Sequence, residues 1–159
     1  YTDSLTGLFN RNRYIQDLDK KISAPQPVGV LFVDLNGLKE INDQFGHDRG
    51  DEALRTCSDH LRACFAPDSC YRIGGDEFAY LVPCSDETMS RDLYRTLHSA
   101  FDIFNRTNEK AYNITVSTGF YLLPKDMDST LPEMLAHADA MLYEEKQKRD
   151  KNVAKILPK

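Results

Sequence analysis

Two carboxylates stand directly behind two glycines in Gly74-Gly75-Asp76-Glu77-Phe78. The flanks, Cys70-Tyr71-Arg72-Ile73 and Phe78-Ala79-Tyr80-Leu81-Val82, are β-branched, aromatic or apolar and predict two strands. Glycine takes positive φ without steric cost, so Gly-Gly between such runs predicts a tight hairpin turn. The backbone there is bare, and a nucleotide phosphate or a metal ion can come close to Asp76 and Glu77. The same five residues also fit a surface hairpin with two solvated acids.

A third acid, Asp34, ends the apolar run from Val28 to Leu35. A carboxylate at a strand end costs little if it faces a cleft and much if it is interior and unpaired. It fits a helix N-terminal cap for the following residues 36–45, or a magnesium ligand, since magnesium prefers one or two carboxylates completed by substrate phosphates. Lys39 falls near the start of that helix. It is either solvated or joins the backbone N–H groups in holding phosphate.

These residues depend on the elements that carry them. Asn10 is placed to cap a helix running to about Ile22, with Tyr14, Ile15, Leu18 and Ile22 on one face. Val28 to Leu35 reads as a strand buried on both faces. Helical spacing resumes at Leu38, Ile41, Asn42 and Phe45, is interrupted by Gly46-His47-Asp48-Arg49-Gly50, and continues from about Asp51 to Phe65. After the hairpin come a helix over Met89 to Asn105, a strand over Ile114 to Leu122, and a loop over Pro124 to Ser129. A last helix spans Leu131 to about Lys148, and Val153 to Leu157 has the pattern of a short final strand. The order α-β-α-α-β-β-α-β-α-β predicts an α+β fold with helices around a central sheet.

The bulk properties narrow the function. A chain of 159 residues suits one domain over 1–159 with a real core, and 41% hydrophobic with 28% charged residues is an ordinary globular composition. The formal charge of −5 argues against a general nucleic-acid or anionic-membrane binder, so any phosphate-bearing ligand needs local cations or a metal. No apolar run approaches the ~20 residues of a membrane span, and no secretory signal is evident. The cysteines, Cys57, Cys64, Cys70 and Cys84, form no CxxC pair and read as reduced, mostly buried thiols, with a zinc site the minor alternative. The expected location is the cytoplasm.

Arg72-Ile73-Gly74-Gly75-Asp76-Glu77-Phe78 resembles the signature of the GGDEF family, the bacterial diguanylate cyclases. Asp3-Ser4-Leu5-Thr6-Gly7-Leu8-Phe9-Asn10-Arg11 resembles the opening of these domains. The run through Phe32-Val33-Asp34, Lys39, Ile41-Asn42-Asp43, Phe45-Gly46-His47-Asp48 and Gly50-Asp51 resembles their nucleotide-binding segment. Ser117-Thr118-Gly119 and Ala138-Asp139-Ala140-Met141-Leu142-Tyr143 resemble their late strand and last helix. The blocks follow the family's order over nearly the whole chain.

The resemblance implies a palm-like, ferredoxin-related antiparallel sheet similar to the adenylyl cyclase catalytic core. It implies condensation of two GTP into cyclic di-GMP, or, as in degenerate members, a non-catalytic GTP-binding or partner-binding module. Asp34, the Leu35 carbonyl and Asp76 would hold magnesium or manganese, with Asp76 the usual base and Glu77 sharing either role. Lys39 would sit on the triphosphate. Asn42 and Asp51 would read guanine, whose N1–H and N2–H₂ donors a carboxylate accepts together. His47, Gly74, Gly75, Arg72 and Lys146 would contact substrate. Two domains would meet as a homodimer, without nucleic acid and without membrane contact by this segment, which looks like a module of a longer sensory protein. Two departures stand out. After Lys146 the segment Gln147-Lys148-Arg149-Asp150-Lys151-Asn152 carries an extra residue and Asp in place of Gly, so Arg149 and Lys151 compete for one role. The upstream inhibitory RxxD is Phe65-Ala66-Pro67-Asp68, with no arginine.

Overall fold

The computed structural model describes residues 1–25, 27–83, 88–108 and 110–123, together with 140 and 143. The last helix, the final strand, Cys84, Lys146, Arg149 and Lys151 lie outside the described residues. Helix α1 (Arg11–Ser23) begins as its sequence predicts, because the Asn10 side chain accepts a hydrogen bond from the Arg13 amide at 3.1 Å. Strand β1 (Val28–Leu35) is buried at every position. Helices α2 (Leu38–Phe45) and α3 (His47–Cys64) follow, then a 3₁₀ turn over Pro67–Ser69. Strands β2 (Cys70–Arg72) and β3 (Glu77–Pro83) form the hairpin, and helix α4 (Met89–Thr107) leads to β4 (Val116–Leu123).

The four strands order as β2-β3-β1-β4 with every pair antiparallel, the expected α+β arrangement. Each face of the sheet has its own core. Leu31, Val33, Leu35 and Phe78 join Ile41 of α2, Leu54, Cys57 and Leu61 of α3, and Leu97 and Phe101 of α4. On the other face Val30, Phe32, Ala79 and Leu81 meet Tyr14 and Leu18 of α1 and Tyr71. This double coverage explains the unbroken apolar run of β1. Cys57 and Cys70 are buried free thiols and Cys64 is half-buried; burial pushes the Cys70 thiol up to about 12 and raises Cys57 as well. No described helix is long and apolar enough to cross a membrane.

Three local expectations are corrected. The hairpin is not a glycine-dependent positive-φ turn, because positive φ among the described glycines is confined to Gly7, Gly37 and Gly46. Helix α3 starts at His47, not Asp51: Gly46, at φ 93, makes the break by itself, and Gly50 lies inside the helix. Helix α2 starts after Gly37, at φ 69, with no side-chain cap, so Asp34 is not a cap and Asn36 is not helical.

Candidate active site

The site is built at the end of β1. Asp34 pairs with Glu77 of β3 on one side and with Ser117 of β4 on the other. Directly paired residues of antiparallel strands project to the same face, so Asp34, Glu77 and Ser117 share a face just beyond the α1-covered core. Asp34 is only 1% exposed, with both carboxylate oxygens beneath the surface. The Leu35 amide donates to the Asp76 carbonyl at 2.8 Å, fastening the hairpin to the strand that carries Asp34. The structure thus brings Asp34, Leu35, Asp76 and Glu77 to one end of the sheet.

The two glycines have different jobs. A Cβ on Gly74 would stand 2.7 Å from Glu77 Oε2, so this glycine makes room for the Glu77 carboxylate. A Cβ on Gly75 would meet nothing within 4 Å, which makes Gly75 the bare approach that the sequence suggests. The loop from 73 to 76 is held by the Ile73 and Gly74 amides donating to the Glu77 carbonyl at 2.9 and 3.2 Å.

Arg72 is engaged inside the protein. Its Nη2 donates to the Gly75 carbonyl at 2.7 Å and its Nη1 to both carboxylate oxygens of Asp3 at 3.2 Å. Asp3 also accepts from the Thr6 amide and hydroxyl at 2.9 and 2.7 Å. Burial pushes the Asp3 carboxyl up, but these hydrogen bonds and the Arg72 charge outweigh it and hold it below its ordinary value. The guanidinium expected to reach a phosphate therefore clamps the opening segment to the hairpin in this structure. No local pattern announces that role for Asp3, which lies 69 residues from Arg72.

Lys39 is exposed in the first turn of α2, close beyond the Asp34 end of β1. Asn42, one turn on, is half-buried, and its amide lies on Gly50: a Cβ at position 50 would fall 1.7 Å from Asn42 Oδ1. Asp51 follows Gly50 in α3 and is half-buried. His47 is exposed as the first residue of α3. Gly50 is a position of close approach to Asn42 that spacing alone reads as part of an interruption.

Two further features bound the site. A cavity of about 510 Å³ lies against the same α2–α3 turn, lined by Phe45, Arg49, Glu52, Lys110 and Tyr112, but not by Asp34, Asp76, Glu77, Asn42 or Asp51. Lys110 and Arg49 both bind Glu52 there and hold its carboxyl below its ordinary value. At the upstream segment Phe65 is 8% exposed and stacks on Tyr80, with ring centroids 4.5 Å apart. Asp68 stands exposed in the 3₁₀ turn beside it.

Among the described residues no three His, Cys, Asp or Glu side chains gather into a metal cluster. A pair of carboxylates with a backbone carbonyl is instead an all-oxygen donor set. It suits a hard cation that keeps phosphates and waters in its remaining positions.

The model of the diguanylate cyclase GGDEF domain matches residues 1–152. Diguanylate cyclase VdcA of Vibrio cholerae is 30% identical over 149 aligned residues, covering 91% of this chain and 43% of VdcA. The bifunctional diguanylate cyclase/cyclic di-GMP phosphodiesterase MucR of Pseudomonas aeruginosa is 33% identical over 153, covering 91% of this chain and 22% of MucR. The chain thus spans less than half the length of either relative. Among solved structures, the coiled coil and GGDEF domain of DgcB from Caulobacter crescentus, in complex with c-di-GMP, superposes with a TM-score of 0.79 at 26% identity. That match covers 92% of this chain and 81% of the other. With a match running through the opening segment, both acid-bearing strands and the α2–α3 turn, this chain belongs to the GGDEF domain family.

Proposed function

We propose that this chain is the catalytic domain of a diguanylate cyclase, one folded unit over 1–159 within a longer protein. The observation that carries the reading is the pairing of Asp34 with Glu77 across the β1–β3 ladder, beside the open backbone of Gly75. The Asn42 amide seated on Gly50 next to Asp51 supplies a matching base-reading pair.

In the proposed reaction two GTP become cyclic di-GMP and two pyrophosphates. Each 3′-oxygen loses its proton and bonds to the α-phosphorus of the other GTP, while the bond from that phosphorus to pyrophosphate breaks. Asp34, the Leu35 carbonyl and Asp76 would hold magnesium or manganese, which when bound polarises the α-phosphate and lowers the pKa of the attacking hydroxyl. Asp76 takes the 3′-proton, with Glu77 alongside to share that role or the metal. Lys39 offsets charge growing on the leaving pyrophosphate. Asp51 accepts from guanine N1–H and N2–H₂, the Asn42 amide pairs with O6 or N3, and His47 closes the turn over the nucleotide. Gly74 and Gly75 let the phosphates approach. Arg72 acts by shaping the hairpin, and Lys146 is assigned to phosphate. One domain holds one GTP, so two domains face each other about a two-fold axis.

Incubating the domain with GTP and magnesium and identifying the product by mass tests the reading. Cyclic di-GMP is expected. GTP binding with no conversion, at domain concentrations high enough to force association, would instead make this a binding module.

A further inference from the structure

We propose that Asn36 is a positioning residue for the metal, acting through the Leu35 carbonyl; this rests on the reading of the Asp34–Leu35 end of β1 as a cation site. Asn36 is a polar residue only 5% exposed, and every polar atom of its side chain has a partner across the sheet. Its Nδ2 donates to Thr115 Oγ1 at 3.1 Å, and its Oδ1 accepts from Ser117 Oγ at 2.9 Å. Its backbone amide donates to the Thr115 carbonyl at 2.9 Å.

Peptide planarity turns this tie into a constraint on the metal ligand. The Asn36 N–H and the Leu35 C=O belong to one trans peptide unit and point in opposite directions. With the N–H held toward β4, the Leu35 carbonyl must point away from β4, toward the hairpin that carries Asp76. The neighbouring peptide is fixed from the other side, because the Leu35 N–H donates to the Asp76 carbonyl at 2.8 Å. The chain leaves β1 at this point and turns at Gly37 with φ 69, where a strand end would otherwise be free to rotate its last peptide. The Asn36 side chain is the second bolt on that peptide. It costs two buried hydrogen-bonding groups, which a chain merely turning out of a strand does not need.

The test measures Mn²⁺ binding by electron paramagnetic resonance in the presence of guanosine 5′-(α,β-methylene)triphosphate, whose α–β bridge cannot be cleaved. Asn36→Ala and Ser117→Ala are each expected to weaken Mn²⁺ about tenfold, the usual scale for groups that orient a metal ligand. The double variant should be no weaker than either alone, because both substitutions open the same tie. Affinity for the nucleotide in EDTA should be unchanged, since Asn42 and Asp51 are untouched. Ser117→Ala removes one half-buried hydroxyl and carries the test if Asn36→Ala does not fold. Wild-type Mn²⁺ affinity in these folded variants, whatever their melting temperatures, overturns the positioning role. So do losses that simply multiply in the double variant. If the unmutated domain binds no Mn²⁺, or Asp34→Asn binds it equally well, the cation-site reading itself falls and takes the proposal with it.

Discussion

Single atoms decide how the hairpin acids can work. Replacing Asp76 with Asn keeps the shape of the side chain but removes both its charge and its basicity. Turnover should drop at least ~10²-fold, the usual contribution of a positioned base. Near-normal rates in Asp76→Asn would transfer the role to Glu77. The glycines offer a sharper comparison, because neither has a positive φ. Gly74→Ala would press on the Glu77 side chain, with Oε2 at 2.7 Å and Cδ and Cβ at 3.0 and 3.2 Å from the new methyl, so it should shift that carboxylate and lower the melting temperature. Gly75→Ala meets no protein atom, so any effect must come through ligand. The expected result is an unchanged thermal midpoint in free Gly75→Ala, together with loss of the extra stabilisation that GTP and magnesium give the unmutated domain. Equal GTP-induced shifts in both proteins would move the phosphates away from this loop.

At the level of elements, the proposed function makes α2 and α3 the nucleotide-reading unit, with Gly50, on which the Asn42 amide lies, as its fitting point. Alanine for glycine inside a helix ordinarily gains about 0.5–1 kcal/mol. Here the new methyl would displace the Asn42 amide, which sits 1.7 Å from its position. Gly50→Ala is therefore expected to hold or raise stability while weakening GTP by roughly tenfold or more, as ~1–3 kcal/mol of base hydrogen bonds go unmade. Calorimetry and a binding titration on one sample separate the two effects. How much of this was legible beforehand follows from range. The Asn10 cap, the doubly buried β1 and the amphipathic faces of α1 and α4 depend on neighbours within a few residues, and periodicity found them. The start of α3 is not legible because two glycines four apart look alike in sequence, yet only Gly46 leaves the helical region while Gly50 stays inside it. That Asp34 and the hairpin acids serve one site is implied by the family resemblance, not by pattern, and the Asp34–Glu77 register comes from the structure alone. The Arg72–Asp3 clamp and the Asn36 ties link positions 69, 79 and 81 apart, and nothing in local spacing announces them.

The whole molecule must answer for control as well as chemistry. Phe65 stacks on Tyr80 where an arginine would be needed to grip a product phosphate with a two-pronged contact. Asp68 alone repels a dianion, so cyclic di-GMP should inhibit only at high concentration and in competition with GTP. Asp68→Ala should leave that inhibition unchanged, and tight non-competitive inhibition abolished by Asp68→Ala would overturn the idea. In the proposed two-domain reaction, association is then the remaining lever on rate. Each domain carries a formal charge of −5, and each GTP adds negative charge, so two loaded domains repel unless cations stand between them. A weak dimer that must form for each turnover gives a specific activity proportional to domain concentration when most domains are single. That proportionality should flatten at high concentration and vanish when the domains are fused to a parallel coiled coil, which fixes the pair at high effective concentration. Added salt should raise the dilute, unfused rate at saturating GTP by screening the repulsion, and should leave the fused rate alone. Specific activity independent of concentration in dilute, unfused domain, verified monomeric by sedimentation, would mean that the two nucleotides meet on one chain and would refute the two-domain reaction.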